Sequence, residues 1–350
     1  MNRNMSRADF LRLSGATAFV VAPTLLGLSG CNKPATNGAA DSSKLQVLAS
    51  FYPMADFAKK IGGDKIEVKN LVPAGTEPHD WEPSTADMVN FSNAKLLVYN
   101  GAGMEHWVDD TLKSLGDGAP TALAASDGIT LLEAAKTDPE HEHEDHDHEH
   151  EHEHEEHEHD EKTEEHEHEH EHDHDHGAYD PHVWLDPQNA KAEMKNIMDA
   201  LIKLDPNNKD TYSANFAKWE VECDVLDSEF SEQLVSVSQR TVVVSHAAFG
   251  YLCNKYGLTQ YSIGDIDAEA EPDAKRMAEI ADYVKKNNVT TIFSEELVSP
   301  KVAQAIAQEA GAKMEELNPL EGLSDEEIAA GEDYFSVMRS NLKKLVGALS

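Results

Sequence analysis

Cysteine is close to absent from this chain. Three occur among 350 residues, Cys31, Cys223 and Cys253, none in a C-x-x-C pair. No thiolate metal centre is indicated, and there is no dense disulfide framework. Basic residues are also scarce, 29 Lys and Arg against 66 Asp and Glu, for a formal charge of −37. That argues against a nucleic-acid partner, because phosphate binding needs a basic face. Roughly half of the negative charge sits between Asp138 and His176, so the rest of the chain is only moderately acidic. Apolar runs are short: ATAFVVAPTLLGL, residues 16–28, cannot span a bilayer. What is present suffices for packed cores, since 40% apolar content over 350 residues accommodates two ordinary domains.

Arg3, Arg7 and Arg12 precede that apolar run, which ends at small residues, and this is the grammar of a cleaved export signal. Leu28-Ser29-Gly30-Cys31 resembles a bacterial lipobox, in which the cysteine becomes the lipidated first residue of the mature chain. SRADFLR resembles a twin-arginine motif with Ala8 in place of the second arginine, a departure that weighs against export in the folded state. The polar NKPATNGAADSS that follows reads as a flexible tether. Cys223 lies on the helical stripe Phe216, Trp219, Cys223, Leu226, Phe230, and Cys253 on Phe249, Cys253, Tyr256. Both read as small buried hydrophobes, with a mutual disulfide as the alternative outside the cytoplasm.

From Leu45 strand-like and helix-like segments alternate: LQVLASF, then a helix opened by Pro53 and closed by glycine, then KIEVKNLVP. STADMVNFS opens on a Ser84–Asp87 capping pattern, AKLLVYNG is a buried strand and EHWVDDTLKSLG a helix. After the acidic stretch come NAKAEMKNIMDALIKL and a long helix in which Tyr212, Phe216, Trp219, Cys223, Leu226 and Phe230 recur at steps of four and three. Strand–helix alternation resumes with TVVVSH, TQYSI and TTIFSEE, followed by a helix with Ser299 as N-cap, Pro300 at its first position and Gly311 beyond its end. The order predicts an α/β protein of two mostly parallel β/α lobes separated by long helix.

Fifteen of the nineteen histidines lie between His141 and His176, alternating with Glu and Asp. With no aliphatic or aromatic residue this tract cannot bury enough apolar surface to offset chain entropy, and it reads as disordered. Its H-E-x-x-H matches at 148–152 and 166–170 arise from the repeat itself. Imidazoles there bind metal, but fixing each residue around an ion costs roughly 1–2 kcal/mol, so weak, exchangeable sites are expected. Four histidines stand apart. His79 follows the strand end NLVPAGTEP, His182 lies in DPHVWLDP, His246 ends TVVVSH, and His106 opens a helix. Ligands of open α/β sheets collect outside the carboxyl ends of strands, where the first three of these can converge.

The colinear blocks LVPAGTEPHDWEPS, DPHVWLDP, VVSHAAFGYL, IFSEELVSPKVAQAIAQEAGAK and LNPLEGLS resemble the metal-binding receptors of ABC importers for zinc, manganese or iron. The resemblance implies two β/α lobes joined by a long rigid helix, with the metal in the cleft between them. It places three ligands on His79, His182 and His246 and the fourth on Glu321 of NPLEG, with Glu295, Glu296, Glu77 or water as competitors. Three imidazoles and one carboxylate suit tetrahedral Zn2+, whereas manganese prefers a harder shell. His106 matches no family ligand and reads as surface, and Asp186 reads as a carboxylate orienting a ligand imidazole.

The implied organisation is a signal peptide over 1–30, a lipid-anchored linker over 31–44, an N-terminal lobe over 45–137 and a His/Glu metal-binding loop over 138–177. A ligand-bearing loop over 178–187, connecting helix over 188–239 and C-terminal lobe over 240–350 complete it. The implied partners are Zn2+ as transported ligand, an ABC permease with its ATPase, and the membrane through Cys31, the receptor itself being a monomer. The rival readings are a manganese or iron receptor, a zinc hydrolase (for which no motif supplies a general base), an adhesin, and a storage protein centred on the His/Glu tract.

Overall fold

The computed structural model describes residues 44–134, 178–264, 272–297 and 299–350. The export signal, Cys31 with its tether, and the 138–177 tract lie outside the described residues. In the first lobe the order is β1 Leu45–Ala49, α1 Tyr52–Gly62, β2 Ile66–Asn70, α2 Asp87–Asn93, β3 Leu96–Tyr99, α3 Val108–Leu115 and β4 Thr121–Ala124. Two helices follow, α4 Pro187–Leu204 and α5 Lys209–Leu234. The second lobe runs β5 Thr241–Val244, α6 Gly250–Lys255, β6 Thr259–Ser262, α7 Ala274–Lys286, β7 Thr291–Ser294, α8 Lys301–Ala310 and β8 Lys313–Glu316, then α9 Asp325–Ala330 and α10 Tyr334–Leu349.

Each lobe holds one four-stranded parallel sheet, ordered β2-β1-β3-β4 and β6-β5-β7-β8. The order follows composition. LQVLA, LLVY, TVVV and TIFS are nearly continuous apolar runs and take the two central places, buried on both faces. IEVKN, TALA, TQYS and KMEE carry exposed positions and take the edges. Within each sheet the parallel strands point their carboxyl ends the same way, so the loop after β2 and the loops after β5, β7 and β8 each lie at the carboxyl end of their own sheet.

α5, 26 residues and about 39 Å long at 1.5 Å per residue, forms the spine. Tyr212, Cys223, Leu226, Phe230 and Leu234 are its buried stripe. α4 lies antiparallel beside it, entered through Asp186, whose side chain accepts from Gln188 N, with Pro187 at the first helical position. A break at Asp205 separates the two helices, where that carboxylate accepts from Asn208 Nδ2 and Tyr212 Oη.

α10 returns from the second lobe to the spine and to α1. Lys60 Nζ of α1 bridges Asp56 at 2.9 Å and Asp333 at 2.7 Å, with the Trp219 ring centroid 4.7 Å away. Trp219 stacks on Phe335 at 5.3 Å, and Phe57 meets Tyr334 edge-on at 5.0 Å. One apolar cluster therefore runs from α1 through α4 and α5 into α10 and β5. Cys223 and Cys253 are buried and unpaired, and burial pushes both thiols up to about 12, so they are inert.

Three local expectations are corrected. α8 begins at Lys301 with Pro300 at its cap and no side-chain capping bond, instead of a Ser299 cap. Ser84 and Asp87 do pair (Ser84 Oγ to Asp87 Oδ2, 2.7 Å), but they close a turn and the helix starts only at Asp87. β4 and β8 are strands the sequence reading leaves unassigned. No helix among the described residues is long and apolar enough to cross a membrane.

Candidate metal centre

His79 hangs on the loop between β2 and α2, where its main-chain N–H donates to Glu77 Oε1 at 2.9 Å. His182 enters from the turn just before α4, and His246 from the residues between β5 and α6. Glu321 follows β8 on the NPLEG loop. One candidate ligand atom from each of the four lies within 4.8 Å of every other. His182 Nε2 is 3.0 Å from Glu321 Oε1 and 3.3 Å from His79 Nε2, and His79 Nε2 is 3.5 Å from Glu321 Oε1. A tetrahedral ion with bonds of about 2.0–2.1 Å needs ligand atoms about 3.3–3.4 Å apart, and the separations among His79, His182 and Glu321 bracket that edge, while the set with His246 included lies within 4.8 Å. His182, His246 and Glu321 are buried, while the His79 side chain keeps 13% exposure.

Two carboxylates stand behind the imidazoles. Asp180 Oδ1 lies 2.8 Å from His182 Nδ1 and also accepts from His182 N at 2.9 Å. Glu295 Oε2 lies 3.1 Å from His246 Nδ1. Such partners fix ring orientation and raise ligand basicity. Asp180 is held by Tyr251 Oη, which donates to its carbonyl at 2.9 Å, and by close approach to Gly250. Asp186, expected from the sequence to orient a ligand imidazole, caps α4 instead. Asp180 and Glu295 lie inside the DPHVWLDP and IFSEELVSP blocks, but their pairing with His182 and His246 shows only in space. Of the competitors for the fourth place, Glu296 is exposed, Glu295 serves His246, and Glu77 stays beside His79. His106 is on the surface, 3.7 Å from Glu82.

The charges of this centre are set by burial against close ion pairing. Burial works against a charged His246 ring, but the carboxylates of Glu295, Glu321 and Glu77 outweigh it and push its pKa up to about 10. His182 is raised in the same way by Asp180 and Glu321 against its burial. His79 is lowered, chiefly by burial. Burial opposes the Glu321 anion, yet His246, His182 and His79 hold its carboxyl well below the usual range. Glu77 is pushed up to about 8 by burial and by the Glu321 charge.

Buried atoms here lack hydrogen-bond partners among the described residues: His246 Nε2, Glu321 Oε2, Glu295 Oε1 and Glu77 Oε2. His246 Nε2 and Glu321 Oε2 belong to members of the four-residue cluster, and a cation that displaces the His246 proton would give buried polar groups of this kind a partner. Three imidazoles and one carboxylate form a nitrogen-rich, four-donor shell, which fits Zn2+ and suits Mg2+ or Ca2+ poorly.

Comparison with known proteins agrees with this chemistry. The family model described as zinc-uptake complex component A, periplasmic (ZnuA), matches residues 47–348. The high-affinity zinc uptake system protein ZnuA of Bacillus subtilis (strain 168) is 40% identical over 333 residues, which are 95% of this chain and 96% of that protein. The zinc-binding protein AdcA of Streptococcus pyogenes serotype M3 is 41% identical over 302 residues, 86% of this chain but only 55% of that longer one. Among solved structures, the Zn(II)-bound ZnuA-like domain of Streptococcus pneumoniae AdcA is 35% identical, with a TM-score of 0.69, covering 87% of this chain and 99% of that one.

Proposed function

This chain belongs to the ZnuA family of periplasmic zinc-uptake components, and we infer that it captures Zn2+ outside the cytoplasmic membrane and passes it to an ABC permease driven by its ATPase. It is a binding protein of a transport system and makes or breaks no covalent bond. The observation that carries this reading is the His79, His182, His246 and Glu321 cluster at the shared rim of two lobes, spaced for a tetrahedral ion. The likeness to zinc uptake proteins supports zinc over manganese, as does a shell with a single carboxylate.

Residues 1–30 act as the export signal, Cys31 takes the lipid, and residues 31–44 tether the folded lobes to the outer face of the membrane. This reading draws on the arginines, the apolar run and the lipobox-like Leu28–Cys31, and on relatives described as lipoproteins. The 138–177 tract supplies weak sites that raise the local zinc concentration near the cleft.

The test is zinc stoichiometry and affinity, by competition with a chromophoric chelator, for the protein lacking residues 138–177. One tightly held Zn2+ should remain, and His79→Ala, His182→Ala, His246→Ala and Glu321→Ala should each weaken it by orders of magnitude. Loss of the tight site together with the tract refutes the assignment and favours a storage role.

A further inference from the structure

Glu321 is reached through three residues, Asn318, Pro319 and Leu320, whose main chain is bound from α10 and from the turn before α4. Asn341, fully buried in α10, accepts from Asn318 N at 3.1 Å through Oδ1 and donates to Asn318 O at 2.7 Å through Nδ2. Asn318 Oδ1 in turn accepts from Leu320 N at 2.7 Å. Trp184 Nε1, from the turn that carries His182, donates to Pro319 O at 2.8 Å, and Tyr334 Oη of α10 donates to Trp184 O at 2.7 Å. Leu320 sits in left-handed backbone at φ 63° with its side chain buried. A leucine persists there only where its neighbours over-determine the turn. Asparagine is a poor helix former, and an apolar residue would pack a helix interior better. The Asn341 amide instead spends all the bonds described on another segment. The Trp184 bond joins the segment of one ligand to that of another, whose atoms His182 Nε2 and Glu321 Oε1 lie 3.0 Å apart.

We propose that Asn341 and Trp184, neither of them among the four ligands, are positioning residues that make Glu321 the fourth ligand in place of water. The proposal rests on the reading of Glu321 as a zinc ligand. Removing a support of this kind costs metal affinity roughly 10–100-fold.

The experiment uses the full chain loaded with Zn2+ for affinity and with Co2+ for its visible spectrum. The variants are Asn341→Leu, Trp184→Phe, Glu321→Gln and each of the first two combined with Glu321→Gln. Each single variant should weaken zinc by that factor, and its Co2+ bands should move toward those of Glu321→Gln. The combined variants should bind no more weakly than Glu321→Gln alone, and Asn341→Asp, which keeps the acceptor for Asn318 N, should recover part of the loss. Wild-type Co2+ bands in the folded variants, or losses that multiply with Glu321→Gln, overturn the proposal. Trp184→Phe decides the same cycle if Asn341→Leu does not fold. A Glu321→Gln protein that binds zinc as tightly as wild type overturns the ligand assignment itself and the proposal with it.

Discussion

Zinc binding to the metal-free cleft should release protons, and their number follows from the charges of the four ligands. Glu321, held well below the carboxylate range, releases none, and His79, lowered by burial, is already neutral at pH 7. His246, pushed up to about 10, is protonated at pH 7 and must surrender its proton, while the raised His182 contributes part of another. The expected release is about one to two protons per Zn2+ at pH 7. Stripping His246 about three units below its pKa costs about 4 kcal/mol, so apparent affinity should rise about ten- to a hundredfold per pH unit near pH 7 and about tenfold per unit toward pH 9. Without metal the sign reverses. An imidazole raised in the folded state contributes stability that is fully present below its unfolded value, near 6.5, and is lost as pH rises through about 10. The metal-free protein should therefore soften over the range in which its zinc complex tightens. Isothermal titration at pH 7 in buffers of different ionisation enthalpy reads the proton count directly as a slope. A binding enthalpy independent of buffer, with affinity flat from pH 6 to 9, would refute the reasoning.

Other expectations concern the surroundings of the site. A Cβ on Gly250 would meet Asp180 Oδ2, so Gly250→Ala should push that carboxylate off His182 and weaken zinc roughly 10–100-fold in chelator competition; unchanged affinity would mean Asp180 does not orient the ring. Glu193 is fully buried in α4 with neither carboxyl oxygen hydrogen-bonded among the described residues, and burial raises its pKa well above the usual range. The folded state thus keeps its proton while the unfolded state ionises above about pH 4.5. Glu193→Gln should accordingly raise the melting temperature of the metal-free protein at pH 8 and leave it unchanged at pH 4, as calorimetry can check. Lys60→Ala strands Asp56 and Asp333 and should cost about 3 kcal/mol in urea unfolding followed by far-ultraviolet circular dichroism, a cost below 1 kcal/mol arguing against the clamp.

Much of this was readable before any coordinates. The β/α alternation, the spine helix and the two-lobe division are local patterns of apolar residues, and His79, His182 and His246 stand out by isolation at strand exits. β4 and β8 escaped because edge strands need no apolar alternation, and KMEE has almost none. Asp186 lies close in sequence to His182, yet Asp followed by Pro is an N-cap signal in its own right, and the cap is the role it takes. Asp180 and Glu295 owe their roles to a ring meeting them in space. The Asn318–Leu320 segment that leads to Glu321 is bonded by partners as distant as Trp184 and Asn341, and no short window of sequence contains them.

His79, His182, His246 and Glu321 are drawn from four separate stretches of chain, and His182 and Glu321 alone are 139 residues apart. No denatured chain offers these four donors together, so the free energy of capturing the ion beyond what the His/Glu tract alone would hold is also free energy of keeping the two halves assembled. Cargo behaves here as a staple. A loaded receptor should outlast an empty one under heat or protease, and a cell starved of zinc would then hold its receptor in the more perishable form.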